Sequence, residues 1–492
     1  MPLTYEQALS WVERLYERIA GRQDEVDRFD RYYRGEQRLV MASDIWAEFH
    51  AKRYSQFADN WCGVVTDAPA QRLKPAGLSL DADMGNVSEA ERTLWGDWLR
   101  NDMERQSQQG ILETLKSRRS FILVWGRDGE PVMSWEDPSQ VAVAYDPETR
   151  DRVAAVKTWV DDDTEYATLY TADELWKWSR PLRQDVGLVI PPGMRSAMDR
   201  GGWEPREVAG ETFPLRHPLG SVPIVEVRNR GPLRGDPLSE IGGVVPMQDA
   251  INLLWAYLFA SADHASFPAR VVMGMEAPSI PKLDEDGVDT GQRIPVDLKS
   301  LANGRLLFLN EEGASPTIDQ WEAAKLDVFT DVIEVAVGHI AAQTRTPQHY
   351  LILGRNANPA AAEALTAAEA GLNAKVQDLQ LFLGADVREA FRLAALVRGD
   401  RALAESVAQG SIVWEDSENR SEAQKADAAT KWKSVGMPLE PLVEKYWSRD
   451  PKEVERIMAA AEAEADDPTM ARIMREFQRT EPPVTADARP EV

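Results

Sequence analysis

The side chains able to do chemistry are few and scattered. Five histidines, His50, His217, His264, His339 and His349, stand apart, and none has another histidine at the helical spacing that would put two metal ligands on one face. His217 with Ser221 could pair a base with a nucleophile, but Pro218 and Pro223 read better as a rigid turn. The single cysteine, Cys62, rules out an internal disulfide and lies between Trp61 and Gly63, where a small buried apolar role is expected. The phosphate loop G-x-x-x-x-G-K-[ST], the zinc helix H-E-x-x-H and the nucleophile elbow G-x-S-x-G are all missing from the sequence, which argues against the usual ATPase and hydrolase sites. We assign no catalytic residue, no metal ligand and no cofactor. What remains is fixed charge: Asp327, Asp331 and Glu334 follow a four-then-three spacing and stack on one side of a helix.

That helix belongs to the stretch around which the chain is organised, Trp321 to Val397. Leu326, Phe329, Ile333, Val337 and Ile340 form an apolar stripe on its first arm. The arm should stop near Thr346-Pro347, because proline lacks the N–H and restricts the residue before it. A joint follows, Gln348, His349, Tyr350, Leu351, Ile352, Leu353, Gly354, Arg355, Asn356, Ala357 and Asn358, expected to expose apolar groups in a loop. The second arm starts after Pro359 with Asn358 as its cap, and Leu365, Ala368, Leu372, Val376, Leu379 and Leu383 stripe it. A partner for the first arm opens at Pro246, with Met247, Ile251, Leu254 and Leu258 at packing intervals.

The rest of the chain is α+β and predominantly helical. A Thr4 cap should start a helix ending at Gly21, with a short one through Val26, Phe29 and Tyr33 to Gly35. Helices are expected from Arg53 through Trp61 and Val65, and after the capping box of Ser88 and Glu91. An antiparallel sheet follows: a hairpin turning at Asp128-Gly129, then strands at 141–145, 153–160 and 166–170. The segment 180–210, rich in proline, glycine and charge, reads as a surface excursion. Short strands at 267–275 and 305–309 suggest a small β module between the Pro246 helix and the first arm, with that arm beginning near Ile318. A strand at 411–414 and helices at 421–433, 440–447 and 451–465 follow, before a disordered tail.

With 81 acidic against 56 basic residues the net charge is −25, so nucleic acid would meet general repulsion rather than a basic binding face. The N-terminus carries a capping pattern instead of a signal segment, and no apolar run is long enough to span a membrane. The reading is of a cytoplasmically folded protein with no membrane partner. Most of the 16 tryptophans, including Trp61, Trp95, Trp98, Trp255 and Trp321, fall on or beside apolar helical stripes and should be core or subunit contacts.

The order of these elements resembles the portal proteins of tailed double-stranded-DNA bacteriophages of the siphophage type. The resemblance rests on Tyr32-Tyr33-Arg34-Gly35, His217-Pro218-Leu219-Gly220, Phe267-Pro268-Ala269-Arg270, Thr346-Pro347-Gln348 and Ala361-Ala362-Glu363-Ala364-Leu365. It implies a homo-oligomeric ring, usually a dodecamer, at one capsid vertex of the virion, through which DNA passes without sequence-specific binding. The implied architecture is a wing (1–245), a first stem helix (246–264), a clip (265–316) and a second stem helix (317–345). A tunnel loop (346–359), a long wing helix (360–410), a crown bundle (411–480) and the tail (481–492) complete it. In this scheme Pro347 to Asn356 form the tunnel loop. Asp327, Asp331 and Glu334 line the channel, while Met247, Ile251, Leu254, Leu258, Phe329 and Ile333 pack the stem. The implied partners are the terminase large subunit, head-completion connector proteins, the major capsid protein and a scaffold. Two other classes remain open: a non-channel assembly or scaffolding protein, and an enzyme with an unrecognised site.

Overall fold

Where apolar periodicity and capping chemistry agree, the chain folds as its local sequence dictates. The computed structural model describes residues 2–39, 59–80, 88–182, 202–266, 270–273, 279–284, 286–295, 306–309, 317–320, 325–351, 362–418, 422–447 and 451–465. Helix α1, Tyr5–Arg34, starts from a complete capping box of Thr4 and Gln7 and stops at Gly35, which takes the left-handed conformation with φ 73°. The expected break at Gly21 does not occur. Val12, Leu15, Ile19, Val26 and Phe29 are all buried along one face, and that burial outweighs the roughly 1 kcal/mol that a mid-helix glycine costs relative to alanine.

Helix α2, Trp61–Ala70, begins at an Asn60 cap; the expected start near Arg53 lies outside the described residues. Strand β1, Pro75–Ser79, precedes α3, Glu89–Arg100, which has the expected Ser88–Glu91 capping box. A further helix, α4, Met103–Ser117, packs against the hairpin of β2, Arg119–Arg127, and β3, Glu130–Glu136. Gly110 allows that approach, because a Cβ there would lie 2.0 Å from Trp135 Nε1. Asp128 and Gly129 both have positive φ at the hairpin tip, the geometry of a tight turn matched to strand twist.

The strands form two antiparallel sheets here rather than one. Strand β4, Val141–Tyr145, leads a meander with β5, Arg152–Asp161, β6, Thr164–Tyr170, and β7, Glu174–Pro181, while Ile224–Arg228 pairs with β2 in the sheet of the hairpin. Arg180 is therefore no part of a surface excursion: it sits in β7, 8% exposed, paired with Glu165 at 2.6 Å. Burial with a satisfied partner holds it in the sheet.

Helix α5, Val245–Ser266, packs against α6, Asp327–Thr344. The first arm does not begin near Ile318, because Thr317–Gln320 is a strand paired antiparallel with Arg270–Met273, which also pairs parallel with Leu306–Leu309. The ladder satisfies backbone groups that a longer helix would leave the sheet without. Ser279–Leu283 and Asp289–Pro295 form a separate exposed hairpin. Helix α7, Ala362–Val397, spans 36 residues and runs through the largest core cluster, burying Leu372, Val376, Leu379, Leu383, Val387 and Phe391. Its expected Asn358 cap lies outside the described residues. A separate helix, Arg401–Gln409, follows from an Asp400 cap, and Ser411–Trp414 pairs with β1. Three helices, Glu422–Ser434, Leu439–Tyr446 and Pro451–Ala465, close the described chain.

Candidate functional site

Helix α6 has three faces. Ile333, Val337, Ile340 and Ala341 are buried against α2, α5 and neighbouring segments. Of the expected stem-packing residues, Ile251 and Ile333 are buried in that cluster and Met247 and Leu254 pack on it, while Leu258 and Phe329 are half-buried beyond it. Asp327, Asp331 and Glu334 are exposed on one flank. On the other flank Val328, Val332 and Val335 are exposed by 59%, 47% and 60%. At 100° per residue, the acidic stripe lies about a quarter-turn from the core face and the valine stripe nearly opposite it, so neither serves packing among the described residues.

The joint after α6 departs from expectation. Arg345 ends the helix in the left-handed region with φ 56°, and Gln348–Leu351 forms a helical turn. Leu351 is 5% exposed in the core shared with α6, so it does not project from a loop. Tyr350 is half-buried and tied down: its hydroxyl accepts from Arg72 Nη2 at 2.8 Å and donates to Glu369 Oε1 at 3.0 Å. Burial, with Glu369 beside it, raises its pKa above the usual tyrosine range. Arg72 also meets Glu369 at 3.2 Å and donates to the Ser417 carbonyl at 3.1 Å. Pro347 is buried and Gln348 and His349 are exposed, whereas Ile352, Leu353, Gly354, Arg355 and Asn356 lie outside the described residues.

A second buried anchor lies behind α6, one that the apolar pattern disguised. Lys375 is 0% exposed; its Nζ lies 2.5 Å from Glu240 Oε2 and donates to the Thr344 carbonyl at 3.0 Å. It thus joins α7 to the C-terminal end of α6, where a cation complements the helix dipole, and to the segment entering α5. Glu240 also accepts from Asn229 at 3.2 Å and Arg230 at 3.3 Å. Burial alone would raise the Glu240 carboxyl, but Lys375 and Arg230 hold it below the usual range. The signal in the sequence was a lysine among apolar residues on the inward face of a helix.

The other candidates are structural. Cys62 is fully buried and its thiol is pushed up to about 12, chiefly by burial and then by Asp249. The His217 ring packs edge-on against Trp125 at 5.2 Å, while Ser221 accepts from Arg392 at 3.1 Å, so the two do not form a base–nucleophile pair. Trp95 and Trp98 stack with Phe391 in the core, and Trp61 and Trp255 pack beside the stem cluster; Trp321 lies outside the described residues. No helix among the described residues is long and apolar enough to cross a membrane.

Residues 13–467 match the family described as "Phage portal protein, SPP1 Gp6-like". The portal protein of Mycobacterium phage L5 is 29% identical over 393 residues, covering 76% of this chain and 72% of that protein. The portal protein of Mycobacterium phage D29 is 28% identical over the same shares. Among solved structures, a chain from the neck of an empty GTA particle aligns with TM-score 0.42 and 15% identity, over 82% of this chain and 92% of its own. One from the neck of a native GTA particle computed with C12 symmetry gives 0.41 and 14%, over 84% and 95%.

Proposed function

This chain belongs to the SPP1 Gp6-like family of phage portal proteins, and from that premise we propose how its elements build the portal ring of a capsid vertex. Helices α5 and α6 are the two stem helices, the short strands between them the clip, and the helices and sheets before α5 the wing. Helix α7 is the long wing helix, and the three helices after Ser411–Trp414 are the crown. The tunnel loop is confined to the segment beyond Leu351, with Pro347 to Leu351 as its anchored base. DNA passes through the ring without sequence-specific contact. Terminase, head-completion proteins, the capsid shell and a scaffold dock on its outer surfaces.

The observation that carries the arrangement is the three-faced α6. A helix in a ring wall meets its own chain on one face, a neighbouring subunit on another and the channel on a third. The core face, the valine flank and the acidic flank supply those three surfaces. Repeated by symmetry, Asp327, Asp331 and Glu334 become stacked acidic rings. DNA within the screening length of about 8 Å feels their repulsion and does not adhere. The test is to change all three to lysine. We expect ring formation to persist, DNA to be retained with steep salt dependence through counterion release, and packaging to slow. Normal packaging, with no added low-salt DNA binding, would place this flank outside the channel.

A further inference from the structure

Away from the stem, a recess of about 440 Å³ gathers arginines in a chain of net charge −25. Arg18 and Arg22 reach it from α1, Arg118 from the junction of α4 and β2, and Arg119 from β2. The carboxylates in its wall are already engaged: Glu25 pairs with Arg118 at 2.7 Å, and Glu226 pairs with Arg119 at 2.8 Å. Asp236 pairs with Arg119 as well. Arg22 has no carboxylate within ion-pair distance among the described residues; its Nη2 donates to the Val141 carbonyl at 2.7 Å, and the guanidinium lies 5.5 Å from the Phe121 ring centroid. Burial, followed by the nearby Arg119, draws its pKa down to about 10, as expected of a cation short of counter-charge.

Two further features bear on a ligand. Arg118 ends α4 as its left-handed cap, with φ 75°, and its Nε is buried without an acceptor among the described residues. An unmet buried donor is a cost that a ligand can offset. Gly21 lines the same recess from mid-helix, yet a Cβ there would meet nothing within 4 Å. No neighbour requires glycine, so its effect is to leave the recess open despite the weakening of the helix.

We propose that this recess is a binding site for a small phosphoryl anion, with Arg22 and Arg118 donating to its oxygens and the exposed Arg18 at its mouth. Guanidinium forks match phosphate oxygens in pairs, and donors arriving from separate elements suit a tetrahedral group better than a planar carboxylate. The source is a free anion, because the least engaged donor, Arg22, is half-buried.

Calorimetry and thermal melting of the full chain with inorganic phosphate, against chloride at matched ionic strength, test the site. We expect a saturable rise in Tm with phosphate only. Gly21→Leu, which removes the mid-helix glycine, should raise the Tm in chloride and lose the further rise with phosphate, and Arg22→Gln should weaken binding by about tenfold or more. Equal shifts with phosphate and chloride, or a response retained in Gly21→Leu, would overturn the proposal. A labelled DNA duplex separates the sources: duplex binding abolished by Gly21→Leu, with no response to inorganic phosphate, would assign the phosphoryl group to a nucleic acid and refute the free anion.

Discussion

At the scale of single residues, the buried Lys375–Glu240 pair carries the largest consequence. Removing Lys375 leaves the Glu240 charge in the core with only Arg230 and Asn229, so Lys375→Ala should destabilise the protein by up to about 3–5 kcal/mol in denaturant unfolding. Lys375→Met, which fills the space but leaves Glu240 short of its main cation, should cost nearly as much, whereas Lys375→Met combined with Glu240→Leu should recover much of the loss. The pH dependence has a definite sign. Because the folded Glu240 carboxyl is held low, its contribution is present above the unfolded carboxylate pKa of about 4.3 and is lost as pH falls through the folded value. Glu240→Gln should flatten that acid limb of the stability curve. Cys62, fully buried with a raised pKa, should resist thiol reagents at pH 8 until the protein unfolds; rapid labelling of native protein would contradict its core role.

Among the elements, the turn at Gln348–Leu351 answers to its surroundings more than to its sequence. Tyr350 and Leu351 follow a proline and precede Gly354, a local pattern that says loop; Arg72 and Glu369, distant in sequence, hold the tyrosine, and the α6 core takes the leucine. Leu351→Ser should therefore cost about 2–5 kcal/mol of stability, comparable to other large-to-small core changes, instead of sparing the fold. The same contrast runs through the chain. The caps at Thr4 and Ser88 and the hairpin at Asp128-Gly129 rest on contacts a few residues apart and are legible in the sequence. Gly21 and Ile318 are not, because a shared core across two helical stretches decided the first and a strand partner at Arg270–Met273 the second. The acidic flank of α6 was legible from spacing alone. The valine flank beside it was not, since exposure of an apolar residue depends on what the rest of the chain fails to cover.

For the whole molecule, that uncovered flank predicts assembly. Val332→Asp, at a position 47% exposed, should leave the melting of the isolated subunit within about 0.5 kcal/mol of the parent while preventing ring formation. Light scattering would then report the 55.0 kDa chain. Rings of unchanged mass would mean that the valines face solvent in the assembly. Helix α7 adds a mechanical aspect. The first buried residue described along it is Leu372, and Ala367, Ala368, Ala370 and Gly371 before it are exposed, so the helix overhangs the core there, and Ala362 starts it about 15 Å ahead of Leu372. The Arg72–Glu369 contact is a strut beneath the overhang. The helix is then a cantilever with its fulcrum near Leu372, and each degree of tilt in its clamped portion displaces the Ala362 end by about 0.26 Å, a length set by helix rise alone. Small adjustments in the core therefore arrive enlarged at the Ala362 end of α7, and a load on that end is felt, reduced, in the core.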